Sequence, residues 1–152
     1  MLNVSFAATA LAEASALITL GGGLYETIVV DPYWPARPDI IQTSRGGINR
    51  KWFWFPAHTV FELSLIVALI AGWSEHGLRT WLFVGFLSHL ASRLWSAVDF
   101  IPKALAFERA EAGTIDEQAA RRWTRRSRGR FVLELITCGA MLASLVAAAR
   151  LY

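Results

Sequence analysis

A stripe of polar residues runs along an otherwise apolar stretch of the chain. Its six members recur at helical spacing: Ser88, His89, Ser92, Arg93, Ser96 and Asp99. At about 100° per residue they cover roughly 140° of a helix surface, so this helix has one polar face. An arginine facing lipid at the bilayer centre costs about 2.5–3.5 kcal/mol, which predicts that the polar face points into protein.

Acidic and imidazole side chains occur at a similar predicted depth in three other segments. They are Glu26, His58, Glu62 and Glu134. His58 and Glu62 are four residues apart, as are His89 and Arg93, so each pair projects from one helix face. If both histidines are neutral, Arg93 is the one positive charge set against these carboxylates and Asp99. The excess of acid predicts that some carboxyls are protonated, reach the interface or hold a cation.

Base catalysis is the chemistry that such a cluster allows. We predict that Glu62 or His58 removes a proton from a substrate and that Arg93 stabilises the resulting anion. The residues predicted to bind the substrate are Glu26, His89, Ser96, Asp99 and Trp95. The alternative is structural, because buried ion pairs also hold membrane helices together.

No metal site or other cofactor is predicted. The spacing His58-x3-Glu62 without a Glu-x-x-His repeat falls short of a di-iron bundle. Haem bound by His58 and His89 is disfavoured, because their predicted depths differ by about nine residues, or roughly 13 Å. The single cysteine, Cys138, excludes an internal disulfide and a cysteine-based zinc motif.

The composition predicts a membrane protein, since 55% of the 152 residues are apolar, 18% are charged and the mean hydropathy is +0.39. Four segments are long enough to cross about 30 Å of hydrocarbon: residues 6–30, 56–73, 80–100 and 131–151. The predicted fold is therefore all-α, with residues 1–152 forming one domain, a four-transmembrane-helix bundle.

Lysine and arginine residues predict the orientation in the inner (plasma) membrane. The first and third loops hold twelve of them, whereas Arg79 and Arg150 lie on the other side. Both loops should therefore face the cytoplasm and both termini the outside. The first loop, rich in proline and glycine, should be irregular. The third should form a short amphipathic helix over Ile115–Arg128, with a capping box at Thr114 and Glu117, lying on anionic lipid. Nucleic acid is not a predicted partner.

Three short stretches resemble the anthrone oxygenase-like family of small four-helix membrane proteins: residues 23–32 (GLYETIVVDP), 100–105 (FIPKAL) and 122–128 (RWTRRSR). The resemblance implies a four-helix bundle. For the characterised members it implies cofactor-independent oxidation of an activated polycyclic phenol by oxygen.

Two functions therefore stay open. One is a membrane-embedded enzyme acting on an apolar, aromatic or polycyclic small molecule. The other is a non-catalytic scaffold or accessory subunit that binds lipid or a partner protein. The sequence also leaves open whether the chain forms a homo-oligomer. A cavity beside Glu62 and Arg93 would favour the enzyme, and a closed, ion-paired core would favour the scaffold.

Overall fold

The computed structural model describes residues 4–111 and 113–151. These residues form six α-helices: α1 (Val4–Tyr25), α2 (Lys51–Ala71), α3 (His76–Trp95), α4 (Ile101–Arg109), α5 (Glu117–Ser127) and α6 (Phe131–Ala149). The described residues contain no β-strand, which confirms the predicted all-α fold.

Two of the helices continue into a widened turn. Glu26–Val30 extends α1 and Ser96–Phe100 extends α3, each as a π-helical turn. The backbone N–H of Asp31 closes the first turn by donating to the carbonyl of Glu26, five residues back, at 2.8 Å. α4 follows the second turn directly. The third helix therefore runs past residue 100, where the predicted segment ends.

Three helical segments are long and apolar enough to cross a membrane: Val4–Val30, Lys51–Ala71 and Glu117–Ala149. They correspond to the first, second and fourth predicted segments and support a helical membrane protein. α3 lies outside this set because its polar stripe lowers its hydropathy.

Two predicted helix starts need correction. α2 begins at Lys51, five residues before the predicted start at Pro56, and the proline lies inside the helix. The capping box at Thr114 and Glu117 is also wrong. Asp116 caps α5 instead, where its carboxylate accepts from the backbone N–H of Gln118 at 2.8 Å. The short amphipathic helix itself is confirmed.

The four long helices form a bundle with one loose side. α1 packs against α2 and α6, and α3 packs along α6. The backbones of α2 and α3 are in contact over only a short length. The core contains Ala12, Phe61, Leu65, Leu82 and Met141, all almost completely buried.

The bundle has an apolar exterior and a partly polar interior. Large apolar side chains such as Ile70 and Val98 are 73% and 81% exposed. Several buried hydroxyls donate to carbonyls of their own helix, as Thr9 does to Ser5 and Ser144 does to Ala140, whereas Ser88 donates to Leu133 of α6. This bonding satisfies polar groups without any partner from water.

The segments between the long helices pack together into a cap over one end of the bundle. The cap comprises residues 31–50, α4 and α5, and its buried residues Trp34, Ile41 and Trp123 cluster with Phe100 of the second π turn. The predicted first and third loops therefore lie at the same end of the bundle.

Hydrogen bonds fix the irregular part of the cap. The indole N–H of Trp34 donates to Asp31 at 3.0 Å. Burial raises the pKa of the Asp31 carboxyl above its usual range, although this bond acts in the opposite direction. The side-chain amide of Gln42 donates to the carbonyls of Phe107 and Ala110 at the end of α4, both at 3.0 Å.

Gly47 has no room for a side chain. A Cβ there would lie 2.3 Å from the Asp39 carbonyl oxygen and 2.7 Å from the Gln42 nitrogen, both backbone atoms. We therefore expect Gly47→Ala to destabilise the protein by about 1–3 kcal/mol, because the backbone must shift. Gly77→Ala is the control, since a Cβ at that exposed helical position meets nothing within 4 Å. Thermal unfolding in detergent measures both variants, and equal midpoints would contradict the prediction.

Candidate functional site

A cavity of about 490 Å³ lies between the cap and the bundle. The two π turns, α2, α3, α6 and the residues directly before α2 and α6 contribute polar lining residues: Glu26, Arg50, His58, Glu62, Arg93, Ser96, Arg130 and Glu134. Aromatic residues complete the wall, among them Trp54, Phe100 and Trp123. The mixture of apolar surface with a few polar groups is typical of small-molecule sites.

One face of α2 supplies a continuous polar row to this cavity. Arg50, Trp54, His58 and Glu62 recur every four residues and so project from the same side of the helix. The Trp54 indole N–H donates to Glu26 at 2.9 Å, and the His58 ring stacks on Trp54 with centroids 5.5 Å apart. The row therefore ties α2 to α1 and fixes the plane of the His58 ring.

Glu62 bridges α2 and α3. Its Oε1 lies 3.2 Å from Arg93 Nε and 3.1 Å from His89 Nε2. Arg93, the cation of the polar stripe, therefore pairs with a carboxylate of α2. Both side chains of the pair are about two-fifths exposed, so the pair stands at the loose side of the bundle.

Among the described residues, three buried polar atoms of residues that line the cavity have no hydrogen-bond partner: Nδ1 of His58, Nε1 of Trp123 and Oε2 of Glu134. His58 and Glu134 also line a second cavity of about 20 Å³, which has room for one water molecule. A neutral imidazole nitrogen without a donor can accept a proton from a ligand, so His58 is better placed as a base than the ion-paired Glu62.

The two histidines are closer than the sequence indicated. Their ring centroids lie 5.8 Å apart. The predicted separation of about 13 Å is wrong because α2 starts earlier than expected, which moves His58 deeper into the helix. The described residues nevertheless contain no group of three His, Cys, Asp or Glu side chains that could hold a metal ion.

Arg130 was not among the predicted site residues, yet it lines the cavity. Its guanidinium donates to Ser96 Oγ and Ser127 Oγ, both at 2.8 Å, and lies over the Phe100 ring at 4.6 Å. The sequence carried a signal that could have identified it, because Arg130 precedes Glu134 by four residues and so shares its helix face.

Three predicted substrate-binding residues, His89, Trp95 and Asp99, do not line the main cavity. Asp99 pairs with Lys103 and Arg126, and Trp95 packs against Phe100 with centroids 5.4 Å apart. The π turn that begins at Ser96 changes the helical phase of the residues after it, which moves Asp99 away from the face of Ser92. His89 lines only the smaller cavity and reaches the main one through Glu62.

The chain matches no known protein family, no curated protein and no solved structure.

The Glu62–Arg93 pair predicts a non-additive double-mutant cycle. Arg93→Ala leaves Glu62 without its cation, so adding Glu62→Gln should recover part of the lost stability, with a coupling energy of about 0.5–3 kcal/mol. The free energy of unfolding in detergent measures the cycle. The matched cycle pairs Arg93→Ala with Glu26→Gln and should be additive, because Glu26 bonds to Trp54 instead. Additivity in both cycles would rule out the pair.

Proposed function

We propose that this protein is a membrane-embedded enzyme that acts on an apolar, aromatic or polycyclic small molecule. The observation that carries the proposal is the cavity of about 490 Å³ beside Glu62 and Arg93. A scaffold held together by buried charges has no need of such a space. Its aromatic wall suits a flat ring system, and the loose side between α2 and α3 offers a route from the bilayer.

The proposed enzyme has four transmembrane helices, α3 among them. α3 presents an apolar stripe to the outside, with Leu87, Leu94 and Val98 each more than half exposed. Its polar residues Ser88 and Ser92 are buried. An exposed apolar stripe of this length would be costly in water and is suited to lipid.

The cap faces the cytoplasm in this proposal, with both termini outside the plasma membrane. The cationic residues of the two loops support it through the positive-inside rule. α5 adds an exposed arginine row that suits anionic lipid headgroups: Arg121, Arg122, Arg125 and Arg126.

The proposed reaction begins with proton removal. His58 takes a proton from an activated carbon of the substrate, and Arg93 stabilises the anion, held in place by Glu62. The anion then reacts with O₂, so that a methylene carbon is oxidised to a carbonyl while O₂ is reduced to water. Oxygen is the co-substrate and no cofactor is invoked, as the resemblance to anthrone oxygenase-like proteins implies.

A non-catalytic scaffold or accessory subunit is the second candidate. It is favoured by ion pairs that join the cap to neighbouring segments without facing a ligand, such as Asp99 with Arg126.

Cysteine labelling tests the four-span topology. In a Cys138→Ala background we expect Ser74→Cys, in the turn after α2, to be labelled from outside intact cells. Thr114→Cys, in the exposed cap, should be labelled only after the cells are opened. If α3 did not cross the membrane, both positions would be labelled from the same side.

Turnover tests the enzymatic proposal. Anthrone is the probe, and its conversion by O₂ to anthraquinone and water is followed by absorbance. His58→Asn should lower the rate by about 10²-fold or more, because it removes the base. His76→Asn, at an exposed histidine at the opposite end of the bundle, should leave the rate unchanged. A wild-type rate no faster than protein-free vesicles would reject this reaction, and an unaffected His58→Asn would reject the base.

A further inference from the structure

Arg130 differs from the other cavity arginines in its lack of an acidic partner. Arg50 lies 2.9 Å from Glu108 and Arg93 lies 3.2 Å from Glu62. Within the described residues no carboxylate oxygen lies within 4 Å of Arg130, whose three bonds all go to uncharged serine oxygens. A guanidinium carries five N–H donors, so two remain for a ligand.

Glu134 stands one helical turn further along the same face. Its Oε2 is buried without a hydrogen-bond partner, and both residues line the main cavity. Burying a carboxylate oxygen without a partner is costly, which favours a ligand that supplies a donor. Arg130 therefore offers donors, and Glu134 an acceptor, to the same space.

We propose that Arg130 and Glu134 form a binding site for the acidic oxygen of an aromatic ligand, such as a phenolic hydroxyl. The ligand oxygen accepts from the free N–H groups of Arg130 and donates its proton to Glu134. When the proton moves fully, the O–H bond breaks, Glu134 becomes a carboxylic acid and the phenolate remains paired with Arg130. Neither group is oxidised or reduced.

This site deepens the proposed function, because it assigns one end of the ligand to α6 while His58 and Arg93 act from α2 and α3. It also explains why an arginine and a glutamate four residues apart do not pair with each other. The Ser96 and Ser127 hydroxyls and the Phe100 ring hold the guanidinium towards α3 instead.

Binding of two matched probes to the full chain in lipid nanodiscs tests the site. The probes are 4-nitro-1-naphthol and 1-nitronaphthalene, which differ only in the hydroxyl group, and both are followed by quenching of tryptophan fluorescence against empty nanodiscs. We expect the wild type to bind the naphthol at least about tenfold more tightly. The bound naphthol should absorb as the phenolate at a pH where the free probe is protonated.

The variants separate the two roles. Arg130→Gln should abolish the preference for the naphthol, whereas Glu134→Gln should leave the bound probe protonated. Arg128→Gln and Glu13→Gln are the matched controls, one an exposed arginine and the other a buried glutamate outside the cavity, and both should behave as wild type. Should Arg130→Gln fail to fold, Arg130→Lys replaces it and should weaken the preference, because lysine lacks the planar fork.

The outcomes distinguish this site from the proposed function. Equal binding of both probes by the wild type, or an unchanged preference in the Arg130 variant, overturns the Arg130–Glu134 site and leaves the cavity as a ligand site. Phenolate bound equally by wild type and Glu134→Gln overturns the role of Glu134. Failure of the wild type to bind either probe rejects the ligand cavity and this site with it.

Discussion

Polar side chains in this protein must find their partners inside the bundle, because its outer surface is apolar. Several serine and threonine hydroxyls meet the requirement locally, by bonding to carbonyls of their own helices, and Ser88 meets it by bonding to α6. Longer side chains meet it across helices, as Glu62 does with Arg93 and Glu26 does with Trp54. Among the described residues, five buried side-chain atoms lack a partner, and three of them belong to residues that line the main cavity. Unsatisfied hydrogen-bonding capacity is thus concentrated where a ligand could use it.

The cap limits the access of water to these unsatisfied polar groups. An open bundle end would let water reach every polar group, whereas Trp34, Phe100 and Trp123 form an apolar floor beneath the cavity. Gln42 holds α4 against the irregular segment, and Arg50 holds α4 to the start of α2 through Glu108. The cap therefore depends on bonds between segments more than 50 residues apart in the chain.

Patterns within a single helix could be predicted from the sequence, whereas relations between helices could not. Hydropathy and length located the three most apolar spans, and the four-residue spacing placed Glu62 on the helix face of His58 and Arg93 on that of His89. The charge of Arg130 favours the membrane interface, whereas its bond to Ser96, on a segment 34 residues away, brings it into the cavity. The position of Asp99 outside the cavity could not be predicted, because no simple sequence pattern indicates a π turn. Depth counted from assumed helix ends failed for His58 because the helix start was wrong by more than one turn.

The arrangement of residues around the cavity depends on the exact number of residues in the two π turns. A π turn accommodates one more residue than an α turn, so deletion of a single residue within Ser96–Phe100 would restore regular α-helix. α4, which directly follows the turn, would then rotate by about 100° relative to α3 and move about 1.5 Å along its axis. Lys103 of α4 and Phe100 of the cavity floor would leave their present positions. Insertions and deletions at these two turns would therefore change the shape of the cavity in related chains without any change in the composition of their membrane helices.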